Sequence, residues 1–223
     1  EEEADRAPAQ PLVRRLEDAL AGKRGPPVFL TGNHDPAISD EHFLYFAEPG
    51  LLVFHGDFAD DNPAPWAPYA AAFVQLLRKH LKERGGAPGF AERAQLFRRL
   101  QRELKVERYQ LYERTGWLAY LLRQFVPPTR PLVVLHYVLK APARVARLAA
   151  KFERPVRQVA FGHVHRPGVW TKDAIQVFNT GSFMPCSRPW ALCVEGAAVR
   201  HVPLSALLEA RRSVFAPAAS KPI

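Results

Sequence analysis

The chain has 223 residues, of which 48% are hydrophobic, so it can bury a substantial core and we expect a single domain over residues 1–223. Two cysteines, Cys186 and Cys193, are too few for a disulfide framework or a cysteine-rich zinc site and favour a reducing compartment. No apolar run reaches about 18 residues, and the amino terminus is acidic and contains proline, so we expect a cytoplasmic protein without a signal peptide.

The formal charge of +9 is concentrated in the middle of the chain. Residues 78–130 contain 13 Lys and Arg against 5 Asp and Glu, a surplus of 8. Such a basic field attracts polyanions, which include phosphate-bearing small molecules, nucleic acid and anionic lipid surfaces. An arginine-rich helix face in water has the same composition, and the charge count leaves both interpretations open.

The first quarter of the chain predicts one helix and two buried strands. Apolar residues recur at helical spacing from Leu12 to Leu20, and Gly22 and Gly25 end that helix. The segments PPVFLTGN and GLLVFHGD each predict a buried strand that ends in a polar turn. Open α/β sheets bind ligands at the carboxyl ends of their strands, so both turns are candidate sites.

From Trp66 the pattern changes to long helices, and residues 64–130 approximately predict a helical cap inserted in the domain. The apolar positions that mark its three helices are Tyr69, Phe73, Val74, Leu77 and Leu81, then Phe97, Leu100 and Leu104, then Trp117, Tyr120, Leu121 and Leu122 within Glu107–Phe125. The following segment, PLVVLHYVLKAPARVARLAAKF, fits a strand or one or two helices joined near Pro142, and we favour the helical interpretation. Short strands are predicted in VRQVAFGHVH, GVW, IQVFNTGSF, WALCVEG and AVRHVPL, and a short helix from Ser205.

Four of the eight histidines lie in three turns that follow predicted strands. They are His34 in GNHD, His55 in FHGD, and His163 and His165 in GHVH. Neutral imidazole is a common ligand of Zn, Mn, Fe and Ni, and the oxygens of Asn and Asp suit the same ions. One buried histidine is usually a core residue, but three such turns together predict a metal site.

The order of these blocks resembles the calcineurin-like metallophosphoesterases, whose pattern runs D-x-H, G-D-x-x-D, G-N-H-D/E, a lone His and G-H-x-H. Gly32 to Asp35 match the third block, His55 the lone His, and Gly162 to His165 the last. The resemblance implies a four-layer α/β/β/α sandwich that carries an inserted helical cap and holds two divalent metals. Within the family, the chain looks most like the bacterial UDP-2,3-diacylglucosamine hydrolase group, through His55-Gly56-Asp57 and through Gly162 to Pro167.

The resemblance also implies roles for individual residues. Asn33, His55 and His163 would bind the second metal and His165 the first, with manganese favoured over iron, zinc or nickel. His34 would clamp the phosphate or protonate the leaving group, and Asp35 would orient His34. Asp57 is either a residue that orients a ligand or a simple turn aspartate. His136 is a weaker alternative to His55 because it lacks the neighbouring glycine; His42, His80 and His201 are expected to be structural or exposed and to lack partners.

Neither a D-x-H nor a G-D-x-x-D block precedes Gly32. We therefore expect both blocks, and the strands that carry them, ahead of Glu1 in a longer parent protein; the chain as numbered would then be inactive alone. A degenerate member that binds at most one ion is the alternative.

Two functions remain after this comparison. The first is hydrolysis of a phosphate ester or pyrophosphate in an anionic substrate, which includes nucleotide-linked lipids at the anionic surface of the inner membrane. The second is a non-catalytic scaffold that binds a partner through the basic cap. Nucleic acid is a disfavoured partner, because the aromatic residues of the basic stretch fall at apolar helical positions.

Overall fold

The computed structural model describes residues 27–33, 38–67, 69–104, 128–183 and 187–215. The predicted helix at Leu12–Leu20, the residues His34 and Asp35, and the predicted cap helix at Glu107–Phe125 lie outside the described residues. None of the helices within the described ranges is long and apolar enough to cross a membrane.

The described chain is a mixed α/β structure with one five-stranded sheet, one two-stranded hairpin and four helices. The strands are β1 Phe43–Phe46, β2 Leu51–Phe54, β3 Gln158–Phe161, β4 Gly168–Lys172, β5 Ile175–Asn179, β6 Trp190–Glu195 and β7 Ala198–Pro203. The helices are α1 Ala70–Arg84, α2 with described residues 90–104, α3 Arg130–Ala149 and α4 Leu204–Phe215, and a 3-10 turn covers Asp57–Ala59. The large sheet has the order β1-β2-β3-β5-β4, and β6 pairs with β7.

Alternation of side chains along the strands gives the large sheet two apolar faces. Leu52 and Phe54 of β2 join Val159 and Phe161 of β3 in the main core, which α1, α2 and α3 cover. The other face is smaller, and its residues pack against the β6–β7 hairpin. They are Leu51, Ala160 and Phe178, with Val53, Leu192, Val194 and Val199 around them. The sheet therefore lies between a helical layer and the hairpin.

Most of the predicted elements are confirmed. The apolar stripes of the first two cap helices form α1 and α2, and their buried residues belong to the same core as the sheet. The ambiguous segment before β3 is a single helix, α3, which continues through Pro142. Pro142 cannot donate a backbone hydrogen bond to the helix. Burial of Tyr137, Ala141 and Val145 on one face of α3 offsets this loss.

The strand predicted in PPVFLTGN is wrong. Residues 27–30 lie in no strand, and Val28 is 55% exposed. The segment is held by loop contacts instead: Ser39 Oγ donates to the Phe29 carbonyl at 2.5 Å, and the Thr31 amide donates to the Glu41 carbonyl at 2.9 Å. Pro27 has no amide hydrogen to give to a neighbouring strand, and the amide of Thr31 is used by the loop contact with Glu41.

A cavity of about 340 Å³ lies between the hairpin and the sheet. Its lining includes Leu30, Leu44, Phe46, Val53 and Leu192, together with His55 and Gly162 of the candidate turns.

Phe90→Ala is expected to lower the free energy of unfolding by about 3–5 kcal/mol, the usual cost of truncating a buried phenylalanine. Phe90 is 1% exposed, and its ring packs edge-on against four others, with ring centroids 5.1–5.4 Å apart: Phe43, Phe54, Phe58 and Phe152. Urea denaturation measures the loss. Phe46→Ala, at a ring that is 41% exposed on the edge strand, is the control and should cost less; equal losses would mean that the aromatic cluster does not anchor the core.

Candidate metal centre

Three parallel strands end at the same edge of the sheet, and each delivers a turn to it. β2 pairs in parallel with β3, and β3 pairs in parallel with β5. His55 follows β2, Gly162 follows β3, and Asn179 ends β5. The amide of Gly162 donates to the carbonyl of His55 at 3.1 Å, so the first two turns are hydrogen-bonded to each other. The edge therefore has the placement expected of a ligand site in an open sheet.

His55 and His163 are brought together at this edge. Their ring centroids are 5.1 Å apart, with the planes inclined by 67°. Gly32 lies directly against the His55 ring: a Cβ added at Gly32 would be 2.8 Å from Cδ2 and 3.0 Å from Nε2 of His55. The structure thus places both the start of the GNHD turn and the first histidine of GHVH against the ring of His55. His136, the alternative, is an exposed residue of α3.

The turn that carries His163 and His165 has an unusual backbone. Both residues have positive φ, 33° for His163 and 55° for His165, in the left-handed region that non-glycine residues rarely enter. The side chain of Asn179, which is fully buried, donates to the carbonyl of Gly162, and Ser187 Oγ donates to the carbonyl of His165 at 2.6 Å. Strained residues held by such contacts cluster at functional sites.

His163 is held by one loop residue and one helix residue. Its Nε2 lies 2.8 Å from the carbonyl of Pro63 and 3.2 Å from the hydroxyl of Tyr137 on α3. Because a carbonyl only accepts, we assign the proton to Nε2, and a metal could then be bound only through Nδ1. Burial, with the nearby Asp60 and Asp57 carboxylates, raises the pKa of Tyr137, so the phenol remains protonated, and its oxygen can accept from the same Nε2–H.

Asp57 is the centre of a buried network. The Arg98 guanidinium binds both carboxylate oxygens, with Nη1–Oδ2 at 2.7 Å and Nη2–Oδ1 at 2.6 Å, and Gln101 Nε2 donates to Oδ2 at 2.6 Å. Oδ1 also lies 3.1 Å from Nδ1 of His55, close enough for a charge contact although not in line for a full hydrogen bond. Burial acts to raise the pKa of Asp57, but the charge of Arg98, helped by His55, keeps that pKa well below its usual range.

The sequence contains a D-x-H and a G-D-x-x-D after Gly32, out of the order that the resemblance requires. In the first, Asp40 to His42, Nδ1 of His42 lies 2.8 Å from the hydroxyl of Thr31. In the second, Gly56 to Asp60, Asp57 is bound as described above, and Oδ2 of Asp60 lies 2.6 Å from Nε of Arg144. Each of the side chains His42, Asp57 and Asp60 binds another protein group. We therefore do not take these two blocks as replacements for the blocks that are missing before Gly32.

Two of the remaining predicted residues can be placed. Asn33 Oδ1 is buried and has no hydrogen-bond partner within the described part of the chain. Burial and the neighbouring His55 lower the pKa of His165, which keeps its imidazole in the neutral form that metals bind. No group of three or more His, Cys, Asp or Glu in a geometry for a metal is present among the described residues. Asn33, His55 and His163 contribute only two histidines to such a group, because the third ligand is an amide.

The fit to a metal is consequently partial. The buried Asn33 oxygen has no partner among the described residues, and the rings of His55 and His163 are in contact. These ligand types suit one divalent ion such as Mn, Fe, Zn or Ni. His34 and Asp35 lie outside the described residues, so their positions relative to this group stay a prediction.

All three histidines that were expected to lack partners have them, and that expectation is wrong. Nδ1 of His80 lies 3.9 Å from Oε2 of Glu83 on the surface of α1. His42 bonds to Thr31, as described, and Nε2 of His201 lies 3.1 Å from the carbonyl of Asn179. The His201 ring also stacks on Trp190 at 4.5 Å. His42 and His201 therefore support the segments that lead to the site rather than the site itself.

Sequence reasoning missed Arg98 and Gln101. Their positions carried a signal, since Arg98 follows Ala94 by four residues and Gln101 follows Phe97 by four, which puts both on the buried face of α2. A charged residue at such a position requires a buried partner. Neither the solvated-face nor the polyanion interpretation of the basic stretch allowed for an arginine that is 2% exposed.

No protein-family model matches this sequence, and no curated protein is detectably similar to it.

Proposed function

We propose that this protein hydrolyses a phosphate ester or pyrophosphate bond with a metal-activated water, as the resemblance implies. The observation that carries the proposal is the meeting of His55 and His163, at 5.1 Å between ring centroids, with Gly32 against His55, at the carboxyl edge of parallel strands. These residues come from three segments far apart in the chain, and a merely structural role for each would not require them to converge.

Asn33, His55 and His163 would hold one divalent ion, with manganese favoured, and His165 would contribute to a second. Such an ion lowers the pKa of a bound water and polarises a phosphoryl oxygen. The chain's own residues supply the rest: His34 clamps the phosphate or protonates the leaving group, and Asp35 orients His34. The polar contacts to Pro63 and Tyr137 fix the ring of His163.

We propose the α/β/β/α sandwich as the fold. Helices cover one face of the five-stranded sheet, and the hairpin covers part of the other, with the apolar cavity of about 340 Å³ between the hairpin and the sheet. In the proposed fold a second sheet packs on the hairpin side, next to His55 and Gly162, which line the cavity.

The proposed substrate is anionic and can carry a lipid. Four apolar side chains project from the first half of α3 with exposures of 39–67%: Leu132, Val133, Leu135 and Leu139. Leu132 and Val133 line a cavity of about 420 Å³ together with Tyr137, whose hydroxyl lies 3.2 Å from Nε2 of His163. An apolar surface next to a phosphate site suits a nucleotide-linked lipid and peripheral contact with the anionic face of the inner membrane.

A second candidate is the scaffold that has lost catalysis. It is favoured by the engagement of Asp57 and Asp60 with arginines. Within the described ranges, the one carboxylate in contact with His55 is that of Asp57, which Arg98 already binds. In this case the fold persists because its hydrophobic core stabilises it, and the basic helices bind a partner.

The test is Mn-dependent hydrolysis of a chromogenic phosphodiester by the full-length product of the gene, together with calorimetric Mn²⁺ binding. His55→Ala and His163→Ala should each abolish hydrolysis and weaken Mn²⁺ binding by more than about 100-fold, the upper range for residues that only orient a ligand. His80→Ala on α1 is the control and should change neither. Hydrolysis that survives both substitutions contradicts the site, whereas Mn²⁺ binding without hydrolysis of phosphodiester or pyrophosphate substrates identifies the scaffold.

A further inference from the structure

The network around Asp57 connects helix α2 to the candidate site. Arg98 and Gln101 are three residues apart and lie on one face of α2, while Asp57 starts the 3-10 turn that follows β2. Gln101 also accepts from Arg98 Nη1 through Oε1 at 2.5 Å, so the two α2 side chains bind each other as well as the carboxylate. Arg98 is 2% exposed and Asp57 is fully buried.

Only one oxygen of the Asp57 carboxylate faces His55. Oδ2 is occupied by Arg98 and Gln101, and Oδ1 is shared between Arg98 Nη2 and His55 Nδ1. A fork of two guanidinium hydrogen bonds fixes the plane of the carboxylate, which a single donor would not do. With the plane fixed, Oδ1 stays 3.1 Å from Nδ1, and its negative charge favours the imidazole proton on Nδ1 although the two atoms are not in line for a full hydrogen bond. The lone pair of Nε2 is then directed away from Asp57.

Stability alone does not require these groups. A buried ion pair can often be replaced by apolar residues of similar volume at no cost, because desolvation of two charges offsets much of their attraction. The same fork holding a carboxylate against a ring nitrogen is the arrangement that sets the tautomer of ligand histidines.

We infer that Arg98 and Gln101 are positioning residues for His55: they fix the Asp57 carboxylate, which in turn sets the tautomer and ring orientation that present Nε2 to the site. What the inference says about metal affinity rests on the proposed function, whereas what it says about the tautomer does not. The helical segment is then part of the site's construction rather than only a cover over it.

The experiment uses three substitutions and one control. Gln101→Met removes the amide and keeps the volume, Arg98→Met removes the fork, and Arg98→Lys keeps the charge with a single donor group. Arg93→Met is the matched control on the same helix, because Arg93 binds Asp61 at 2.8 Å and the Phe58 carbonyl at 2.6 Å. Nitrogen–proton correlation spectra of the imidazole rings report the His55 tautomer, and Mn²⁺ titration reports the affinity.

The wild type should show one His55 tautomer, with the proton on Nδ1. Gln101→Met and Arg98→Met should lose that signature and weaken Mn²⁺ binding roughly 10- to 100-fold; Arg98→Lys should recover part of both. Arg93→Met should keep the signature and stay within about twofold in affinity. If Arg98→Met does not fold, Gln101→Met and Arg98→Lys give the answer.

The possible outcomes distinguish the positioning role of Arg98 and Gln101 from the proposed hydrolytic function. A wild-type signature and affinity in all folded Arg98 and Gln101 variants would mean that the network only tethers α2, and mixed tautomers in the wild type would overturn the inference even if Mn²⁺ binds. A wild type that binds no Mn²⁺ but whose His55 tautomer depends on Arg98 contradicts the proposed function and supports the positioning role.

Discussion

Asp57→Ala is expected to lower the free energy of unfolding by about 3–5 kcal/mol, which is the usual cost of breaking a buried ion pair from one side. The substitution removes the carboxylate and leaves the Arg98 guanidinium, 2% exposed, without its counter-charge. It also removes the group opposite Nδ1 of His55, so the ring loses its orientation as well. Chemical denaturation followed by circular dichroism measures the first effect.

Asp61→Ala is the control for this substitution. Asp61 pairs at 2.8 Å with Arg93, which lies on α2 like Arg98, but the Asp61 side chain is 66% exposed. Water screens such a pair, so the loss should be at most about 1 kcal/mol. A double substitution, Asp57→Asn with Arg98→Met, should unfold less readily than Asp57→Ala because it leaves no isolated charge. Losses of the same size for Asp57→Ala and Asp61→Ala would refute the buried network.

Gly32→Ala should lower the hydrolytic activity or the Mn²⁺ affinity that depends on His55 by roughly 100-fold. This is the effect expected when a group of the site is displaced by about 1 Å. The new Cβ would lie 2.8 Å from Cδ2 of His55, a distance that requires movement of one of the two groups. The ring cannot withdraw freely, because Nδ1 faces the Asp57 carboxylate that Arg98 fixes.

Gly86→Ala is the matched control for Gly32→Ala. No described atom lies within 4 Å of a Cβ at Gly86, beyond its own chain neighbours, so the methyl group meets nothing. Replacing glycine at such a position leaves stability unchanged or raises it by about 0.4–1 kcal/mol. The His55 imidazole spectrum should move in Gly32→Ala and stay in place in Gly86→Ala. An unchanged spectrum and full Mn²⁺ affinity in Gly32→Ala would mean that the close approach to His55 is not required.

The elements that the sequence predicted well are those with a periodic core face. The stripes of α1 and α2 are confirmed because burial repeats at the helical period. The apolar run of β2 is confirmed because both faces of that strand are covered. The segment PPVFLTGN shows the limit of this reasoning. Its apolar residues are compatible with a strand, but a strand also needs a neighbour, and neighbours are not encoded locally.

The same division holds for the candidate site. The sequence by itself marked the turns at Gly32–Asp35, His55–Asp57 and Gly162–His165, since glycine and polar residues after apolar runs are local signals. Only the tertiary structure decided that His55 and His163 meet, that Asp57 faces His55 rather than solvent, and that Arg98 is its counter-charge. The physical reason is that charge pairing and ring contacts act through space between residues 41 and 108 positions apart in the chain, where no periodic pattern reaches.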